Sequence, residues 1–78
     1  MAGAARRLVI CLDNEGYGAA LERRKIYISL PDARAGKLGQ IRVIDESGDD
    51  CLYGKSAFRQ VSLPQSIRRA VLLAAGPL

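Results

Sequence analysis

The chain has no histidine and no tryptophan, only two cysteines, and four aromatic rings among its 78 residues. Each scarcity excludes something. Without histidine there is no imidazole to act as a base for a nucleophile, and the commonest metal ligand is missing. Cys11 and Cys51 are too few for the disulfide framework of a small secreted domain, and they read as reduced, half-buried thiols. A bridge between them would require their strands to be neighbours. The apolar run Leu8–Leu12 is shorter than the roughly 7–15 residues of a secretory segment. No stretch approaches the roughly 20 apolar residues of a membrane span. The expectation is a cytoplasmic protein with no membrane partner. With only Tyr17, Tyr27, Tyr53 and Phe58 as aromatics, aliphatic side chains must make most of the core.

What is present is enough to fold. Hydrophobic residues make up 49% of the chain and charged ones 26%, far from the composition of a disordered segment. The length suits one domain over residues 1–78, with a thin core supplying about 3–5 kcal/mol net. The formal charge of +4 is unevenly spread. Asp45, Glu46, Asp49 and Asp50 form an acidic knot, and every charge after it is basic. Such an excess favours anionic partners and says nothing about fold.

Read from the beginning, residues 1–6 are a flexible end. Leu8–Leu12 is a strand buried on both faces, stopped by the turn formers of Asp13–Gly18. Ala19–Arg24 is a helical turn or an extended loop. In Lys25–Leu30, Ile26, Ile28 and Leu30 alternate with Lys25, Tyr27 and Ser29, which predicts a strand with the isoleucine face toward the core and Tyr27 outward. Pro31 ends it. Asp32–Gly39 reads as a connecting loop. Gln40–Asp45 and Asp50–Tyr53 flank Glu46–Asp49, where Gly48 suits a left-handed turn position, so a hairpin is predicted. Gly54–Ala57 is a 3₁₀ link and Phe58–Leu63 a last strand. Ile67, Ala70, Val71 and Ala74 then fall at helical spacing, which predicts a C-terminal helix over 64–75. Ser62 and Gln65 have capping-box spacing, Pro64 sits in the first turn, and Gly76-Pro77 is the stop. Too few residues separate the strands for parallel crossovers. The fold class is therefore mainly β, a small antiparallel barrel with a C-terminal helix.

The stretch Arg42-Val43-Ile44-Asp45-Glu46-Ser47-Gly48-Asp49-Asp50-Cys51-Leu52-Tyr53 resembles a family of small, uncharacterised bacterial proteins. Asp13–Tyr17, Leu21, Lys25, Tyr27 and Leu30-Pro31-Asp32 add to the likeness, which spans roughly residues 8 to 64. The family pattern has Tyr where Cys51 stands and Pro where Gly54 stands, so a shared function does not require Cys51. The order of strand, long loop, strand, hairpin, 3₁₀ turn and strand also resembles an SH3-like barrel. That fold hosts peptide binders, RNA binders and structural modules alike, so it supplies no function by itself.

The acidic knot lacks the spacing of a calcium loop and reads as a solvated hairpin turn rather than a metal site. The cysteines have no histidine to activate them and read as small hydrophobes. A core this thin leaves little room for a substrate cavity of roughly 300–1,000 Å³. No catalytic residue, cofactor or metal is therefore expected. Two binding readings remain. One is a protein or peptide surface made by Tyr17, Tyr27 and Tyr53 with Glu15 and Asp49, where exposed aromatics and acidic residues would select a basic ligand. The other is a nucleic-acid surface of Arg23, Arg24, Lys25, Lys55 and Arg59 with aromatics among them. Homodimerisation through an edge strand or the Leu72/Leu73 helix face is a further route to a partner.

Overall fold

A computed structural model describes residues 6–74. Apart from Arg6, the expected flexible end lies outside that range, as do Ala75 of the expected helix and the Gly76-Pro77 stop. Five short strands form a single sheet: β1 (Arg7–Cys11), β2 (Ile26–Leu30), β3 (Gln40–Ile44), β4 (Asp50–Gly54) and β5 (Phe58–Gln60). Two helices accompany them, α1 (Ala33–Lys37) and α2 (Gln65–Ala74). Every pairing is antiparallel and the strand order is β4-β3-β2-β1-β5. The sheet curls into a half-barrel whose two edges are β4 and β5, in the SH3-like layout.

The β3–β4 hairpin forms as local chemistry dictates. Ile44 pairs with Asp50 and Gln40 with Gly54. Gly48 adopts a φ of 87°, a left-handed conformation that glycine reaches without a Cβ clash. The 3₁₀ turn Lys55–Ala57 then carries the chain across to β5, where Phe58 lies opposite Cys11. Because β5 joins β1 rather than β4, the first and last strands of the chain are neighbours.

Three expectations need correction. First, β2 is turned the other way. Tyr27 joins the core with Val9, Cys11, Leu21, Val43, Tyr53 and Phe58 inside the curl. Ile28 faces the convex side, opposite Leu8, and is buried there as well. Alternation identifies two faces of a strand without saying which is inside. On that side α2 sets Val71 and Ala74 across a cavity of about 520 Å³ from Ile26, Ile28 and Ile44.

Second, Asp32–Gly39 contains α1. The Asp32 carboxylate accepts a hydrogen bond from the Ala35 amide at 2.9 Å, an N-cap that starts the turn, and Ala35 is buried beneath it. Third, β5 stops at Gln60, although Val61 N–H still bonds to the Leu8 carbonyl at 2.9 Å. The first bond of the α2 ladder runs from Arg68 N–H to the Pro64 carbonyl. That makes Pro64 the N-cap position, two residues past Ser62, so the Ser62/Gln65 spacing is not used as a capping box. Among the described residues, no helix is long and apolar enough to cross a membrane.

Candidate binding cleft

The half-barrel has one end bolted shut and one end open. At the closed end the long loop between β1 and β2 is pinned to the hairpin turn. The Tyr27 hydroxyl donates to Glu46 Oε2 at 2.6 Å and accepts from the Glu22 amide at 2.7 Å. Glu46 also takes Lys25 Nζ at 2.6 Å, and its backbone N–H bonds to the Ala20 carbonyl. Asp45 is the buried member of the acidic knot. It accepts from the Ser47 hydroxyl and amide and, at 2.5 Å, from the Tyr53 hydroxyl. These donors, Ser47 first and then Tyr53, hold its carboxyl down at a pKa of about 2. Burial, with an adjacent carboxylate, pushes both the Tyr53 and Tyr27 hydroxyls up.

This geometry removes the expected tyrosine surface. Tyr27 and Tyr53 are each only 5% exposed, and only Tyr17, at 51%, reaches solvent. Tyr17 rests edge-on against Tyr53 with ring centroids 5.0 Å apart. A tyrosine hydroxyl that meets a carboxylate at the rim of the core lets the ring pack inward while its polar end stays satisfied. Glu15 and Asp49 remain exposed, while four other carboxylates are engaged in ion pairs. Lys25 holds Glu46 and, at 3.8 Å, Glu22; Arg42 holds Asp32 and Asp50, both at 2.9 Å. Two cations thus engage four carboxylates, and the remaining basic groups outnumber the remaining acidic ones.

The proposed basic group also divides. Arg23, Arg24 and Lys25 lie on the approach to β2, where Lys25 is paired with Glu46. Lys55 and Arg59 instead line a cleft of about 370 Å³ at the open end. Its floor is Val9, Ile41 and Phe58, and α1 contributes Ala33 and Gly36 to one side. Around the floor stand Arg7, Lys55 and Arg59, with Ser29, Gln40 and Gln60 supplying hydroxyl and amide groups. Asp32 is the one carboxylate in the lining. The Ala35 amide and then Arg42 hold it in its charged form.

Arg7, Ser29 and Gln60 were not anticipated as site residues. Arg7 shares a strand face with Val9 and Cys11, so alternation offered a signal, but only once that face is known to be the concave one. The cleft's volume sits at the low end of the range for ligand sites, in a chain whose length suggested less. It arises because the half-barrel does not close.

Both cysteines are free. Cys11 is fully buried in the core, and burial pushes its thiol up. Cys51 lies opposite Val43, and the Asp45 carboxylate is the main reason that its thiol is also raised. Neither is a thiolate poised for attack. Among the described residues, no group of His, Cys, Asp or Glu is placed to hold a metal ion.

Comparison of the chain with protein-family models, curated proteins and solved structures finds no match.

Proposed function

We propose that this chain is a small, non-catalytic binding module that takes an acidic segment of a partner protein into the open-end cleft. One observation carries the reading: an apolar floor ringed by Arg7, Lys55 and Arg59, where the only carboxylate is tied to Arg42. Such a surface suits a peptide that alternates Asp or Glu with aliphatic side chains, since the half-buried or exposed Leu30, Pro31, Ala33 and Ile41 offer apolar contact and the rim charges steer and orient the ligand. This reading is preferred to a basic ligand drawn to Tyr17, Tyr27, Tyr53, Glu15 and Asp49, because two of those three rings are buried.

A protein partner is favoured over nucleic acid by the state of the aromatics. Single-stranded nucleic acid is held by stacking on exposed rings. Phe58, Tyr27 and Tyr53 are all buried, and Tyr17 packs on Tyr53 at the closed end.

Amide chemical-shift mapping with a synthetic Glu/Leu peptide, and with random single-stranded DNA and RNA across a salt series, tests this. The acidic peptide should shift Arg7, Ser29 and Gln60. Arg7→Glu with Arg59→Glu should weaken it by about tenfold or more. Arg23→Glu with Arg24→Glu should leave it unchanged. Oligonucleotide binding that falls steeply with salt, with no response to the peptide, would put the nucleic-acid reading in its place.

A further inference from the structure

The two edges of the sheet are not alike. On β5 the first outward-facing residue is already occupied: Phe58 N–H bonds to the Lys55 carbonyl, and the Phe58 carbonyl accepts from Arg59 Nη1 at 2.8 Å. That is a guarded edge, of the kind folded proteins use against unwanted strand pairing.

The edge at β4 is bare. Asp45 N–H bonds to the Asp49 carbonyl and Lys55 N–H to the Gly39 carbonyl, so the ladder with β3 runs one step past the strand at both ends. In an antiparallel ladder the bonded residues alternate. Asp49, Cys51, Tyr53 and Lys55 therefore face β3, while Asp50, Leu52 and Gly54 turn their amides outward. Among the described residues no proline, bulge or covering loop protects them, and Leu52 is 41% exposed.

We infer that β4 is a self-association edge, and that its partner is β4 of a second copy of this chain, paired antiparallel about a two-fold axis at Leu52. Two independent features choose this register. Only a pairing centred on Leu52 matches all three outward residues, with Leu52 against itself and Asp50 against Gly54. The same register sets Asp49 of each copy opposite Lys55 of the other, so opposite charges meet at both ends of the paired strands. Both residues are exposed and neither has an ion-pair partner within its own chain. A shift by one pairing step either way leaves an outward residue unmatched and sets Asp49 against a neutral side chain. The result is a ten-stranded sheet continuous across the axis, counting the five strands of each copy. A contact made through one strand edge falls below the roughly 1,200 Å² of standard interfaces, so the association is a reversible one.

Sedimentation velocity over a wide concentration series tests the proposal. The wild-type chain should pass from monomer to dimer as concentration rises. Asp49→Lys and Lys55→Asp should each weaken the dimer by about tenfold, and the double exchange should restore it, because the reversed charges again meet their opposites. Leu52→Pro removes an outward amide without breaking a bond to β3 and should leave only monomer, with circular dichroism reporting whether the fold is retained. A wild-type chain that stays monomeric throughout would overturn the inference. So would a dimer indifferent to both single charge reversals, since that dimer would be held elsewhere.

Discussion

At the closed end of the half-barrel, two tyrosine hydroxyls meet two carboxylates, and the long loop is held to the hairpin turn by those bonds. At the open end, Arg7, Lys55 and Arg59 stand around apolar side chains, and the single carboxylate that lines the cleft among the described residues is paired with a fourth cation, Arg42. The contrast comes from how charge is distributed between structure and surface. Asp45 at the closed end is buried and Glu46 is paired, and both contribute to stability. Basic groups at the open end are exposed and contribute little to it, which leaves them available to a ligand. A group whose removal costs the fold is a poor candidate for recognition; a group that the fold can lose is a better one.

The strongest challenge to this contrast is removal of Asp45. Asp45→Ala strands the buried Tyr53 hydroxyl without its acceptor and should lower stability by about 2–3 kcal/mol in urea unfolding. Arg59→Glu at the open end should change it by less than about 0.5 kcal/mol. Equal costs would dissolve the distinction between the two ends.

Acid should expose the same asymmetry. The Asp45 carboxyl has a folded pKa of about 2, below its ordinary value of 3.8. A depressed pKa contributes stability that is present above the unfolded value and is lost as pH falls through the folded one. The loss should therefore fall between about pH 4 and pH 2, amount to on the order of 2 kcal/mol, and be absent in Asp45→Asn. At the alkaline side the sign is opposite. The raised Tyr27 and Tyr53 hydroxyls stabilise the fold below about pH 10, and that contribution fades as pH climbs further. With no histidine, stability should be flat between about pH 5 and 8.

A smaller effect is expected for Tyr27→Phe. Glu46 keeps Lys25 as a partner, so the loss should be about 1 kcal/mol by the same unfolding measurement. Smallest, and of opposite sign, is Arg24→Gly. Arg24 holds a φ of 70° on the approach to β2, where a side chain is strained, and its amide bonds to the Cys11 carbonyl at 2.7 Å. Glycine relieves the strain but adds freedom to the unfolded chain, leaving a net gain of under about 1 kcal/mol.

Much of the fold was legible before the structure. The hairpin rests on β-formers either side of Gly48, and the tail helix on Ile67, Ala70, Val71 and Ala74 at helical spacing. The short helix α1 was hidden because Gly36 sits inside it and Leu38-Gly39 closes it after barely a turn, so the loop composition outweighed the Asp32 cap. The candidate site was half legible. Lys55 and Arg59 line the cleft without Arg23, Arg24 and Lys25, which lie across β1 from them and outside its lining. Arg7 was missed because its role depends on which face of β1 is concave.

From the residues alone came the strands, the turn between β3 and β4, the antiparallel order and the terminal helix, because each depends on neighbours within a few positions and on the dihedral preferences of glycine and proline. Tertiary structure alone decided that Tyr27 faces inward, that Asp45 and Glu46 serve as bolts, and that Arg7, Lys55 and Arg59 share a cleft. Those outcomes depend on contacts such as Tyr27 with Glu46, 19 residues apart, which exist only after the sheet has curled. Periodicity sorts side chains into two sets, and closure of the sheet determines which set becomes the interior.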